Sequence, residues 1–346
     1  MQPTQLLIIF TAICLCALLA HRVRVATPII LLVGGVCLAL LPSMPQVYID
    51  PEHMLLIFLP PILMEAAFFT SIRDFKRELR AILLMAIGLV AATTLVVGVL
   101  FMQLVPGATW PLGFLLGAII SPPDAAAAIG ALRGITLPKR ITIILEGESL
   151  VNDASGIVLY KLAIGAILAG TFSFAEAGSL LAWKIVGGIS IGLVIAWLFV
   201  KLYPYLRDPS VEILATFLPP YAAFMIAEHY GMSGVLAVVA AGLYVGWHAP
   251  RLFTPRMRIP AEAVWKMVVF LLNGLAFLLI GLQLPALIAR LDIMGNPSIL
   301  LLALAVCIIS VIVRFVWVYV MGVGLRIVLN KVRTKQEVLP SWQNVF

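Results

Sequence analysis

The chain is 346 residues long, 63% hydrophobic and only 11% charged, with a formal net charge of +7. Soluble domains run nearer half apolar and a quarter charged, so this composition excludes a soluble enzyme and defines an integral membrane protein whose solvent is the lipid bilayer. The positive excess does not point to nucleic acid, because it is spread over alternate loops and gathers in no single basic patch.

A hydrocarbon core of about 30 Å needs roughly 17 to 25 apolar residues per helix. In chain order such segments cover 5–20, 26–41, 53–70, 81–105, 110–132, 141–169, 179–203, 211–227, 232–247, 262–289 and 298–326, which predicts an all-α polytopic fold of eleven spans. The first is a helix and not a signal peptide, since Arg22 and Arg24 follow its apolar run instead of preceding it. Loops after the odd-numbered spans hold most of the lysines and arginines. By the positive-inside rule the N-terminus is outside and the end of this chain is cytoplasmic.

Cys14, Cys16, Cys37 and Cys307 lie inside apolar segments without metal-ligand spacing, and His21, His53, His229 and His248 lie near span ends, as interfacial residues do. No cofactor and no enzymatic activity is expected from either set. The odd seventh span allows 1–170 and 209–346 to be read as two inverted repeats, with 171–208 as a linker helix. On that reading the second repeat is incomplete, because after "VRTKQEVLPSWQNVF" the sequence stops at Phe346, where a twelfth span is expected.

Glu65, Asp124, Asp153 and Arg314 each fall about twelve to sixteen residues into a span, which at about 1.5 Å per residue places them near the bilayer centre. A charge there costs at least about 2.5 to 3.5 kcal/mol on insertion scales, so these groups either line a polar pathway or form a structural ion-pair network. Local backbone separates the two for one segment. In "SPPDAAAAIG" (121–130), Pro122 and Pro123 remove two amide donors, predicting a break near the centre of the fifth span. A broken helix is tolerable in a membrane only where it faces protein or a watery cavity. The first half then offers carbonyl oxygens to a cation, and Asp124 opens the second half at its positive end.

The sixth span carries "EGESLVNDASG" (146–156). Ser149 and Asp153 are four residues apart and share a face, with Asn152 at its edge: a hydroxyl, an amide and a carboxylate, all hard oxygen ligands for a small dehydrated cation. Glu148 points about 140° from Asp153, where Arg314 can neutralise it. Gly147 and Gly156 allow close approach of another helix. Lys161 and Lys266 lie within or near spans, Lys266 reading as a side chain that snorkels to the interface.

With "FLPPILMEAAF", "SPPDAAAAIG", "EGESLVNDASGIVLY" and an arginine in the last span, the chain resembles the monovalent cation:proton antiporter-1 family, the sodium/proton exchangers, in its NhaP-like form. The resemblance implies an inverted-repeat fold with an unwound crossing helix, a homodimer, and a core that moves elevator-fashion against a dimerisation scaffold. It implies exchange of Na⁺, or of Li⁺ or K⁺, for H⁺, electroneutral because Asn152 replaces a second acid. Residue by residue, Asp153 matches the essential ion-binding carboxylate, Asn152 its neighbour, Asp124 the acid of the unwound helix, Ser149 a hydroxyl ligand and Glu65 an acid that reaches the site. Glu148 and Arg314 match a salt-bridged pair that supports the core. Where the family has Thr-Asp-Pro or Val-Asp-Pro, this chain has Pro-Pro-Asp, which shifts the unwinding and changes the part played by the Pro123 carbonyl. The family's second crossing helix is missing from the sequence, so a truncated, non-transporting scaffold is the alternative expectation. An intramembrane aspartyl protease would also need two buried aspartates, here Asp124 and Asp153, but its Tyr-Asp and Gly-X-Gly-Asp surroundings are missing.

Overall fold

The computed structural model describes residues 3–41, 51–123, 138–169, 174–290 and 297–320. Its secondary structure is helical throughout the described residues: α1 (Pro3–Val23), α2 (Thr27–Ala39), α3 (Pro51–Phe69), α4 (Ile72–Leu83), a π-helical turn (Leu84–Leu89), α5 (Val90–Leu104), α6 (Trp110–Ile120), α7 (Lys139–Ala169), α8 (Phe174–Leu202), α9 (Pro209–Ala215), α10 (Leu218–His229), α11 (Gly234–Leu252), α12 (Pro255–Arg290) and α13 (Pro297–Tyr319). Seven stretches among the described residues are long and apolar enough to cross a membrane, and four shorter apolar helices accompany them. Together they fall on the eleven segments read from hydropathy.

One feature differs from that reading. The basic stretch after the third span is not a loop: Arg73, Lys76, Arg77 and Arg80 lie on α4, which runs through the π-turn into α5. Arginine, lysine, glutamate and leucine are good helix formers, and the stretch is amphipathic, with Phe75, Glu78 and Ile82 buried. The Nζ of Lys266, an exposed side chain, lies 2.7 Å from Glu262 Oε1 one helical turn earlier.

Helix ends follow local chemistry. Asp208 caps α9 by accepting from the amides of Ser210 and Val211, and Ser233 caps α11 by accepting from Leu236. Gly231, at φ +69°, ends α10, with the Met232 amide donating back to the Ala227 carbonyl.

The helices divide into two compact units. One gathers α1–α3, the first turns of α4 and α7, and the greater part of α8 with α9–α12. Apolar helices gain no hydrophobic drive from meeting each other in lipid, so they pack where small residues let backbones touch. In this unit Gly35 of α2 and Gly281 of α12 meet, and a Cβ on either would overlap the other helix's backbone. Gly192 of α8 approaches Ala237 of α11 in the same way. Ile9, Ile13, Leu31 and Leu278 form a buried cluster between α1, α2 and α12.

The other unit gathers α4 from Arg77, the π-turn, α5, α6, α7 from Gly147 onward, and α13. Here α5 and α6 cross through Gly98 against Gly113 and Thr94 against Gly117. Those pairs are spaced four residues apart on each helix and run in opposite directions, an antiparallel small-residue seam.

Candidate functional site

The site is built from the second unit. α6 ends at Ile120, and its last regular hydrogen bond runs from the Ser121 amide to the Gly117 carbonyl, 2.9 Å. The next two residues are Pro122 and Pro123, which have no amide hydrogen, so the carbonyls of Ala118 and Ile119 lose their helical partners. The Gly117 carbonyl keeps its partner, so the loss begins at Ala118. A proline pair alone does not force this outcome: α3 continues as a helix through Pro60 and Pro61.

What meets the break is α7. Asn152 is fully buried, and its Nδ2 donates to the Pro123 carbonyl oxygen at 3.2 Å. One turn further along, Gly156 faces Pro122, and a Cβ there would overlap the proline ring. Successive residues of the break are thus held by residues one turn apart on α7, read in reverse order. Asn152 Oδ1 is buried without a hydrogen-bond partner among the described residues. Ser149 and Asp153 are half-buried on the same helix, four residues apart and on one side of it.

Behind this face Glu148, 2% exposed, lies 2.8 Å from Arg314 Nη2 of α13. Trp317, one turn beyond Arg314, donates its indole Nε1–H to the Leu84 carbonyl at 3.1 Å, at the entry to the π-turn. Its ring covers Gly88, where a Cβ would strike Cζ2. Two polar contacts one turn apart therefore hold α13, a helix whose other side chains are largely exposed.

Among the predicted site residues, Asn152 and Pro123 come together, as do Glu148 and Arg314. Asp124 lies outside the described residues. Glu65 is a half-buried residue of α3 in the first unit, where it lines an apolar cavity with Met64, Phe68, Phe253 and Trp265. Trp265 is fixed there by donating to Thr216 Oγ1 at 2.9 Å and stacking on Phe217 at 4.3 Å. Sequence reasoning missed Trp317, Thr94 and Ser121. The signal for Trp317 was its helical spacing from Arg314; for Thr94, a threonine pair in the middle of an apolar span.

These features define a helical membrane protein in which the proline pair that follows α6 is held by a buried asparagine next to an aspartate. Its fold is that of a solved sodium proton antiporter, MjNhaP1 from Methanocaldococcus jannaschii, with a TM-score of 0.71 over 99% of this chain and 84% of that one, at 22% sequence identity. Residues 7–343 match the family of transmembrane sodium/hydrogen exchangers, and the chain belongs to that family. It is 33% identical over 311 residues to the "Sodium, potassium, lithium and rubidium/H(+) antiporter" of Bacillus pumilus, covering 87% of this chain and 46% of that protein. It is 33% identical over 319 residues to the Na(+)/H(+) antiporter ApNhaP of Aphanothece halophytica, covering 91% of this chain and 58% of that protein. The chain thus spans about half the length of these relatives.

Proposed function

We propose that this chain is a secondary cation/proton antiporter that exchanges Na⁺, or Li⁺ or K⁺, for H⁺ across a membrane. The observation that carries the reading is the bond from Asn152 to the Pro123 carbonyl, which ties the helix break to the helix bearing Asp153. An ionised carboxylate deep in a low-dielectric interior is costly to move unless a counter-charge accompanies it. Either a proton or a monovalent cation supplies that charge. Asp153 therefore changes sides loaded with one or the other, and the empty, ionised carrier is the slow species.

In this scheme Asp153 is the exchanging carboxylate, Ser149 and Asp124 supply further oxygens, and Glu65 is an acid on the cation's route. The Pro123 carbonyl is already the acceptor of Asn152, which leaves it one lone pair for a cation. Glu148 and Arg314 support the core without binding the ion. The homodimer, the elevator motion, the external N-terminus, the repeats at 1–170 and 209–346 and one-for-one exchange belong to the same proposal. The helices of both proposed repeats are shared between the two compact units, as inverted repeats that each donate to a core and a scaffold would be.

The test is sodium-driven proton movement in proteoliposomes. The unaltered chain is expected to exchange and Asp153→Asn to abolish it, with no current set by membrane potential. Undiminished exchange by Asp153→Asn would reject the assignment. An inert unaltered chain that still folds would favour the scaffold reading.

A further inference from the structure

At Pro122 the missing amide is replaced by a hydroxyl. In an unbroken helix the amide of residue 122 would donate to the carbonyl of Ala118, four residues earlier. Instead Ser121 Oγ donates to that oxygen at 3.3 Å, and Thr94 Oγ1 of α5 donates to Ser121 Oγ at 3.4 Å. Ser121 is 6% exposed and Thr94 also 6%, so no bulk water competes for these groups. Thr94 reaches Ser121 because α5 and α6 touch at Thr94 and Gly117, where a Cβ on the glycine would overlap the Thr94 backbone. On the far side Gly156 leaves open the space beside the Ala118 carbonyl, since a Cβ there would lie 3.4 Å from that oxygen.

The first unit contains a second instance. Pro61 of α3 cannot donate to the Ile57 carbonyl, and the hydroxyl of Tyr221 on α10 donates to that oxygen at 3.3 Å. An orphaned carbonyl in an apolar setting costs more than a modest hydrogen bond returns, so a hydroxyl at this position matters through the penalty it removes.

We propose that Ser121 and Thr94 are positioning residues of the cation site. Ser121 takes over the hydrogen bond that Pro122 cannot make, and Thr94 fixes the direction of that hydroxyl. Together they hold the carbonyl end of α6 in the orientation that Asn152 meets at Pro123. The effect on transport rests on the exchanger reading given above; the effect on stability does not.

Both consequences are measurable on the full chain. For stability, thermal unfolding in detergent is followed for Ser121→Ala, Pro122→Ala and the double variant. Because the contacts are long for oxygen–oxygen hydrogen bonds, Ser121→Ala is expected to lower the midpoint by only about 3 °C. In the Pro122→Ala background, where an amide is restored, it should change the midpoint by less than a third of that. Equal losses in both backgrounds would overturn the proposal.

For transport, sodium half-saturation and maximal rate are measured in proteoliposomes. Thr94→Val, which keeps shape and removes the hydroxyl, is expected to raise half-saturation about fivefold at little-changed maximal rate, and Thr94→Ser to restore it. A lowered maximal rate with unaltered half-saturation would mean that Thr94 only supports folding, and would overturn the positioning role. If the unaltered chain exchanges no sodium, the exchanger reading fails for this chain, while the unfolding cycle still decides whether Ser121 replaces the amide.

Discussion

The side-chain amide of Asn152 donates to the carbonyl of Pro123, so the residue beside Asp153 is bonded to the proline pair that follows α6. Asn152 has no solvent exposure, and its partner carbonyl belongs to Pro123, three residues past the end of α6 at Ile120. Asn152→Leu fills the same space with no donor and leaves that carbonyl without its side-chain partner. The expected loss is about 1 to 3 kcal/mol of unfolding free energy, the penalty for an orphaned buried polar group, read from unfolding in detergent. Unchanged stability would show that the carbonyl finds another partner.

Glu148, buried, and the partly exposed Arg314 form another polar contact of this unit. Removing one partner of such a pair strands the other, whereas replacing both by apolar groups of similar size is often neutral. Arg314 retains 34% side-chain exposure, so Arg314→Ala is expected to cost about 2 to 3 kcal/mol, toward the low end for buried pairs. Glu148→Leu combined with Arg314→Met should be more stable than Arg314→Ala alone. A double variant as damaged as the single one would mean that the pair's hydrogen-bonding groups, and not the stranded charge, hold α13.

Trp317 clamps α13 to the π-turn through its indole N–H and through the ring that covers Gly88. Trp317→Phe removes the donor and is expected to cost about 1 kcal/mol. Gly88→Ala should cost more, because its methyl would meet the ring at 2.5 Å, and much of that cost should vanish in a Trp317→Leu background. Additive effects would place the cost of Gly88→Ala in the π-turn itself.

Tyr221 offers a test in the other unit. Tyr221→Phe removes the hydroxyl that meets Ile57 and is expected to lower stability by about 1 kcal/mol. The same change in a Pro61→Ala background, where α3 regains its own amide, should be close to silent. A full loss in both backgrounds would show that the hydroxyl acts elsewhere.

Much of this molecule was legible before any coordinates. Spans were visible because a bilayer demands a length of apolar residues, and that demand is local in the chain. The end of α6 at Ile120 is legible in the sequence because proline lacks a donor wherever it occurs. Yet Pro60 and Pro61 carry the same chemistry and α3 continues through them, so the prolines by themselves did not decide the outcome. The charged stretch 73–80 reads as a loop but is helical for a related reason: low hydropathy marks the end of the oil but not the end of the helix.

The class of protein, the spans and the set of polar groups confined within them are written locally, since each follows from transfer energies and backbone geometry of residues near in the chain. Which partner each confined group meets is settled by packing between helices. Asn152 turns to Pro123, Arg314 to Glu148, Trp317 to Leu84 and Thr94 to Ser121, across separations of 29, 166, 233 and 27 residues. Hydrogen bonds and ion pairs act over about 3 Å and in a narrow range of directions. Their pairing is therefore a property of how glycine-lined helices pack, which no local pattern along the chain contains.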